Sequence, residues 1–235
     1  MPVRCIGLVR RIGVGATAVA IAVTTAACMT SIPGNAQAAR VAAPAPSPSG
    51  DAPIVAGWTS IRSMSPNVTY DVPPGWTPST QTGYRDPSGT PRVFGTAAAR
   101  AGLGTCGASW IVALSAVVVT PEADPATAAV QTATAWADAG YRSPADAAPT
   151  LTAHPPEAIT TLAGAQAQVA EVEIATARPL STCGITTARA YAVAATGFTD
   201  PPGPTVVLVV LADSGPSDAV PDVLVRKMLT TVRPT

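Results

Sequence analysis

The sequence predicts an α+β domain, a mostly antiparallel β-sheet with helices packed on it. Three observations predict it. Short runs of strand-forming residues alternate with Pro, Gly and Asp turn chemistry. Two segments carry helical periodicity behind N-terminal signals. The elements come in the order strands, helix, strands, helix with hairpin-length connections, which favours antiparallel pairing over a doubly wound sheet.

The domain opens near Gly57-Trp58, and its first strand is Asn67 to Val72, closed by Pro73-Pro74-Gly75 and Trp76. Gly83-Tyr84-Arg85 and Arg92-Val93-Phe94 flank Asp86-Pro87-Ser88-Gly89. Pro second and Gly fourth is type I turn chemistry, so this is a hairpin. Trp110 to Val119 is apolar enough for a central strand. Asp124 and Pro125 are a helix N-cap and first position, Gly140 marks the end, and Ala129, Ala133 and Trp136 share the docking face. A loop around His154 leads to strands Ala158 to Leu162, Gln166 to Thr176 and Ile185 to Ala195, the first two joined by a turn at Gly164. In the second of these, Val172 and Ile174 face inward while Glu171 and Glu173 face water. Val206 to Ala212 is a second central strand. Ser217 or Asp218 caps a last helix that buries Val220, Val223, Leu224 and Met228.

The first 38 residues read as a signal peptide. Met1 to Arg11 is basic, Ile12 to Ala27 is uncharged and rich in Ala and Val, and Pro33-Gly34-Asn35 precedes the A-x-A site Ala36-Gln37-Ala38. Cleavage there starts the mature chain at Ala39. Alternatively, Thr25-Ala26-Ala27-Cys28 is a lipobox in which Cys28 is acylated, making a membrane-anchored lipoprotein. The expected location is therefore secreted or extracytoplasmic, with no membrane span in the mature chain. The arginine pair Arg10-Arg11 lacks the residues of a twin-arginine signal, so export of the unfolded chain is expected. Residues 39–56 are a Pro/Ala-rich linker, and 57–235 form one domain.

Composition narrows the function classes. Charged residues are 12% of the chain, aromatics 4% and apolar residues 47%, so the core must be built from small side chains. With Arg4, Arg10 and Arg11 removed by cleavage, 11 basic side chains face 14 acidic ones, a net of about −3. No basic stripe remains to neutralise phosphates, so nucleic acid is excluded as a partner.

Candidate chemistry is sparse. His154 is the only histidine, and no serine beside it stands in a nucleophile elbow. Gly107-Ala108-Ser109-Trp110 lacks the elbow's second glycine. One histidine, a cysteine pair and scattered carboxylates offer no tetrahedral metal set and no calcium loop, so no metal and no cofactor is expected. Asp213 and Asp218 read as turn and cap residues. Tyr70, Trp76, Tyr84 and Phe94 crowd the N-terminal strands, as core residues or as the lining of a ligand groove. The reading that remains is a non-catalytic exported cell-envelope domain, binding or accessory, whose partner is an envelope protein, lipid or glycan. The alternative is a secreted hydrolase with its nucleophile near His154.

The run Tyr70-Asp71-Val72-Pro73-Pro74-Gly75-Trp76 resembles the opening of actinobacterial exported domains of unknown function. The Leu162-Ala163-Gly164 turn, the two later cysteines and the ending Thr231-Val232-Arg233-Pro234 fit the same pattern. A more distant resemblance is to LpqN-type lipoproteins and to the PsbP-like sandwich, which implies an antiparallel sheet covered by helices. The resemblance carries over no catalytic residue. The Ala/Thr/Val/Pro bias, with one lysine against thirteen arginines, is likewise that of a high-GC actinobacterial genome.

Cys5 leaves with the signal, and Cys28 is removed or lipidated, so Cys106 and Cys183 are left as an even pair in an oxidising compartment. Each lies in the same local context, Thr-Cys-Gly, ahead of a strand. A bridge between them at one end of the sheet is predicted, worth about 4.5 kcal/mol by loop-closure entropy. Reducing it should lower the melting temperature by many degrees. A Cα separation beyond about 7 Å would refute it.

Overall fold

The computed structural model describes residues 52–235 apart from 108–109, 144, 199–202 and 216–218. The cleavage site, Cys28 and the proposed caps Ser217 and Asp218 lie outside the described residues. Eleven strands and two helices run in the order β1 (Thr59–Ser63), β2 (Val68–Val72), β3 (Thr77–Arg85), β4 (Pro91–Ala101), β5 (Ala113–Thr120) and α1 (Pro125–Gly140). There follow β6 (Thr150–Ala153), β7 (Glu157–Thr160), β8 (Gln166–Ala175), β9 (Thr187–Ala195), β10 (Thr205–Asp213), α2 (Asp222–Thr230) and β11 (Arg233–Pro234). No helix among the described residues is long and apolar enough to cross a membrane.

Two sheets form, and every strand pair is antiparallel. The larger has the order β3-β4-β5-β10-β9-β8-β6, with β7 also on β8, and the smaller is β1-β2-β11. The larger sheet is covered on both faces, which explains why β10 reads as an unbroken apolar run and is buried throughout. Val207, Val209 and Leu211 face α1, whereas Val206, Leu208 and Val210 face the smaller sheet and α2. The α1 side is built from alanines, Ala190, Ala192 and Ala194 meeting Ala129, Ala133 and Ala137, with Trp136 as the one large side chain. Gly95 makes room for that ring. A Cβ there would stand 2.8 Å from the Ala116 Cβ and 3.1 Å from Trp136 Cζ2.

The helix and turn signals act as their chemistry dictates. Asp124 Oδ2 accepts from the Thr127 backbone N–H at 2.9 Å and from its hydroxyl at 2.6 Å, and Pro125 opens α1. These bonds, the Thr127 hydroxyl first, hold the Asp124 carboxyl below its usual range. The Gly89 N–H donates to the Asp86 carbonyl at 2.9 Å and closes the β3–β4 hairpin.

The last helix departs from expectation. It begins at Asp222 behind Pro221, and buries Val225, Met228 and Leu229, while Val223 is 70% exposed. Proline supplies a helical φ but no side-chain cap, so the helix starts later and its inward face rotates. Strands β1, β6 and β11 were also not expected. Each is five residues or fewer and too short to show a period.

Cys106 and Cys183 form the disulfide, with Cα atoms 5.1 Å apart. The expected geometry, neighbouring strands entering side by side, is corrected in one respect. Strands β5 and β9 are both antiparallel to β10, which lies between them, so they start at the same end without touching. The bridge links the loops that precede them, where Thr182 N–H donates to the Cys106 carbonyl at 3.1 Å.

The smaller sheet is held by one buried ion pair. Alternation in Val68–Val72 predicts Thr69 and Asp71 facing water, yet all five residues are buried. Asp71 Oδ2 accepts from the N–H groups of Ile54 at 2.7 Å and Val55 at 3.2 Å. Its Oδ1 accepts from Ser60 Oγ and Arg233 Nη2, both at 2.9 Å. Arg233 also donates to the carbonyls of Thr231 at 2.9 Å and Ala52 at 2.8 Å. Contacts with the domain thus include Ala52, ahead of the Gly57 opening.

Removing one partner strands a buried charge. Asp71→Leu and Arg233→Met should each cost about 3–5 kcal/mol in urea unfolding. The double variant Asp71→Leu/Arg233→Met should lose less than the sum, and strict additivity would contradict the pair's role.

Candidate functional site

A trough of about 550 Å³ lies between β1 and the β3–β4 hairpin. Its walls include Ile61, Met64, Pro78, Thr80 and Ala97. Met64 is 75% exposed. Strands β1 and β3 are edges of their sheets, so the trough runs between two strand edges with no further described strand on them. Its floor is a bulge in β4, where the register shifts between Thr96 and Ala99 and Ala97 adopts φ +46°. An alanine in the left-handed region is strained, and here it is fixed by a buried bond. Tyr70 Oη donates to the Ala97 carbonyl at 2.7 Å and lies 2.9 Å from Ser115 Oγ. Burial pushes the Tyr70 phenol well above its ordinary range, so it stays a donor.

A second, charged surface lies where the β8–β9–β10 face extends past α2. Cross-strand pairing sets Glu171 opposite Tyr191 and Glu173 opposite Arg189, all on one face. Arg226 of α2 pairs with Glu171 and, at 3.3 Å, with Asp222. Arg189 lies 3.5 Å from Glu171 and 3.3 Å from Asp222. The Tyr191 hydroxyl donates to Asp222, and the Arg226 guanidinium lies 5.7 Å from the Tyr191 ring centroid. Partial burial raises the Asp222 carboxyl, but the Tyr191 hydroxyl and Arg226 outweigh it and hold the group below its usual range. Cavities of about 300 and 270 Å³ flank Arg189 and share Ser214.

His154 joins this surface. Its backbone N–H donates to the Glu171 carbonyl at 2.9 Å, continuing the β6–β8 ladder. Its Nε2 lies 3.5 Å from Glu173 Oε1. The ligand atoms of His154, Glu171 and Glu173 lie within 4.8 Å of one another. The expectation that the carboxylates were scattered is therefore corrected: seventeen and nineteen positions of sequence separation vanish when β6 pairs with β8. The signal was the Glu-x-Glu alternation at 171–173, but register is not readable from it. Among the described residues no hydroxyl or thiol is hydrogen-bonded to the His154 ring.

A third cluster is buried. Asp213, at the end of β10, accepts from Trp110 Nε1 at 2.6 Å and from Tyr141 Oη at 2.9 Å. Tyr141 follows α1, so this carboxylate ties the helix end and the disulfide loop to the central strand. Burial pushes the Asp213 carboxyl up, and the Trp110 and Tyr141 bonds offset only part of that. Asp213 is thus an anchor for two segments as well as a residue at a turn.

The four aromatics, read as core residues or as the lining of a groove, are not brought together on one wall. Tyr70 and Trp76 are buried in the core under the smaller sheet. Tyr84 packs edge-on against Trp136 on the opposite face, centroids 6.1 Å apart. Phe94 is 54% exposed. Strand alternation sends neighbours to opposite faces, so closeness in sequence does not give a common wall. Of the four, Tyr70 touches the trough floor through its hydroxyl.

A family model described as a domain of unknown function, DUF8017, matches residues 51–235. No curated protein matches, and no solved structure matches.

The raised Asp213 carboxyl sets a pH dependence. The folded state holds this proton more tightly than the unfolded chain, so its contribution is full below the ordinary carboxylate range and is lost as pH rises through the folded value. Urea titrations of the protein and of Asp213→Asn should show the difference moving toward the parent as pH falls from neutral into the acidic range. A flat or opposite trend would contradict the assignment.

Proposed function

The chain belongs to the DUF8017 family, and for it we propose a non-catalytic, exported cell-envelope domain that binds a partner in the trough between β1 and β3. The observation that carries this reading is the trough itself: a cavity of about 550 Å³, walled by two edge strands and floored by a strained, hydrogen-bonded bulge. Of the three partner classes, an envelope protein fits best. An extended segment can add to a strand edge through its backbone while Met64 and Ile61 receive alternate side chains. A lipid would want a deeper apolar enclosure, and a glycan would want exposed aromatic faces, which this trough lacks among its described lining.

Export is part of the proposal, with either cleavage before Ala39 or acylation of Cys28. The disulfide supports it, because such bridges persist in oxidising compartments. The PsbP-like sandwich and the LpqN-type likeness belong to the same proposal, beyond the mostly antiparallel sheets with two helices that the described residues form. A hydrolase would need a nucleophile at His154, and the described neighbours of that ring are the carboxylates of Glu173 and Glu171.

A photo-crosslinking residue at Met64, expressed in the native envelope, should capture one discrete protein. The same residue at Leu162, which is 57% exposed and does not line the trough, should not. Equal capture at both positions, or none at Met64, would overturn the reading.

A further inference from the structure

We propose that His154, Glu173 and Glu171 form a binding site for a borderline divalent cation, zinc above all, on the open part of the β6–β8 surface. The inference is independent of the trough, which lies against other strands.

Geometry comes first. Two ligand atoms each about 2.0–2.2 Å from a tetrahedral zinc stand roughly 3.3–3.6 Å apart. His154 Nε2 and Glu173 Oε1 are 3.5 Å apart. Glu171 completes the set with all ligand atoms within 4.8 Å, a gap that rotation of one glutamate side chain closes. The three residues stand on two hydrogen-bonded segments, with the His154 N–H fixed to the Glu171 carbonyl. Their relative placement is therefore set by the backbone before any ion arrives.

Charge comes second. Arg189 and Arg226 are matched by Glu171 and Asp222, two cations against two anions in one square. That square is neutral. Glu173 is left over, and its one ionic partner among the described residues is the imidazole. A cation at His154 and Glu173 thus meets an uncompensated carboxylate. It then draws on Glu171 through Oε1, the oxygen that Arg189 holds at 3.5 Å.

Ligand chemistry selects the ion. One imidazole nitrogen with carboxylate oxygens suits zinc, copper or nickel, whereas calcium wants six to eight oxygens. Three protein ligands leave a fourth position for water or for a donor from a bound partner. His154 and Glu173 have about half their side-chain surface exposed, so the ion can enter.

The chain's single histidine gives a clean readout. Zinc added to tag-free protein should shift the one imidazole Cε1–H resonance, saturating at one ion per chain, and calcium should leave it in place. Glu173→Gln should weaken zinc binding about tenfold or more, and His154→Ala should abolish it. Both residues are exposed, so circular dichroism should show each variant folded. If zinc leaves the resonance unmoved, or binds Glu173→Gln as tightly as the parent, the site is a lone surface imidazole with an adventitious ion only, and the proposal fails.

Discussion

The carboxylate of Asp71 accepts four hydrogen bonds, which come from three parts of the chain. The N–H groups of Ile54 and Val55 bring in the start of the domain, the Ser60 hydroxyl brings in β1, and Arg233 brings in the last residues. Without these donors β2 would expose Asp71 to a buried space with no partner. With them, the first and last segments become the outer cover of a sheet that has only three strands. A buried ion pair is a poor source of net stability, but it discriminates strongly between the native arrangement and any in which one partner is displaced. Here it fixes β1, and β1 is one wall of the trough.

The other half of the molecule works by small side chains. Alanine faces on β9 and α1 bring helix and sheet close together, and Gly95 and Gly140 open the gaps that Trp136 and Tyr84 fill. Close packing recovers through contact what each small residue lacks in apolar area. At the end of the same layer, Asp213 joins the helix terminus to the loop that carries Cys106. The disulfide and this carboxylate therefore secure neighbouring loops at one end of the central strands.

The two candidate surfaces are made by different means. The trough is a matter of shape, a gap between a three-stranded and an eight-stranded sheet, with no further described strand on either edge. The charged surface is a matter of register, since β6, β8 and β9 must pair as they do for His154, Glu173 and Arg189 to share a face. The core beneath ends at Tyr191, whose ring is buried and whose hydroxyl reaches Asp222 at the boundary.

By itself the sequence determined the α+β class, the antiparallel hairpins, both central strands, α1 with its Asp124 cap and Trp136 anchor, and the Cys106–Cys183 pair. All of these rest on local chemistry: a proline and glycine at fixed turn offsets, an oxygen at an N-cap, a run of apolar residues, an even cysteine count. The tertiary structure decided the rest. Asp71 alternates like a solvent-facing residue, and only the segments that carry Ile54, Ser60 and Arg233, folding over β2, bury it. Val223 keeps helical spacing with Val220, yet the late start at Pro221 turns it outward. Glu173 and His154 are remote in sequence and adjacent in space. Long-range pairing and register carry that information, and neither leaves a local trace, because a strand's alternation specifies two faces without specifying what covers them.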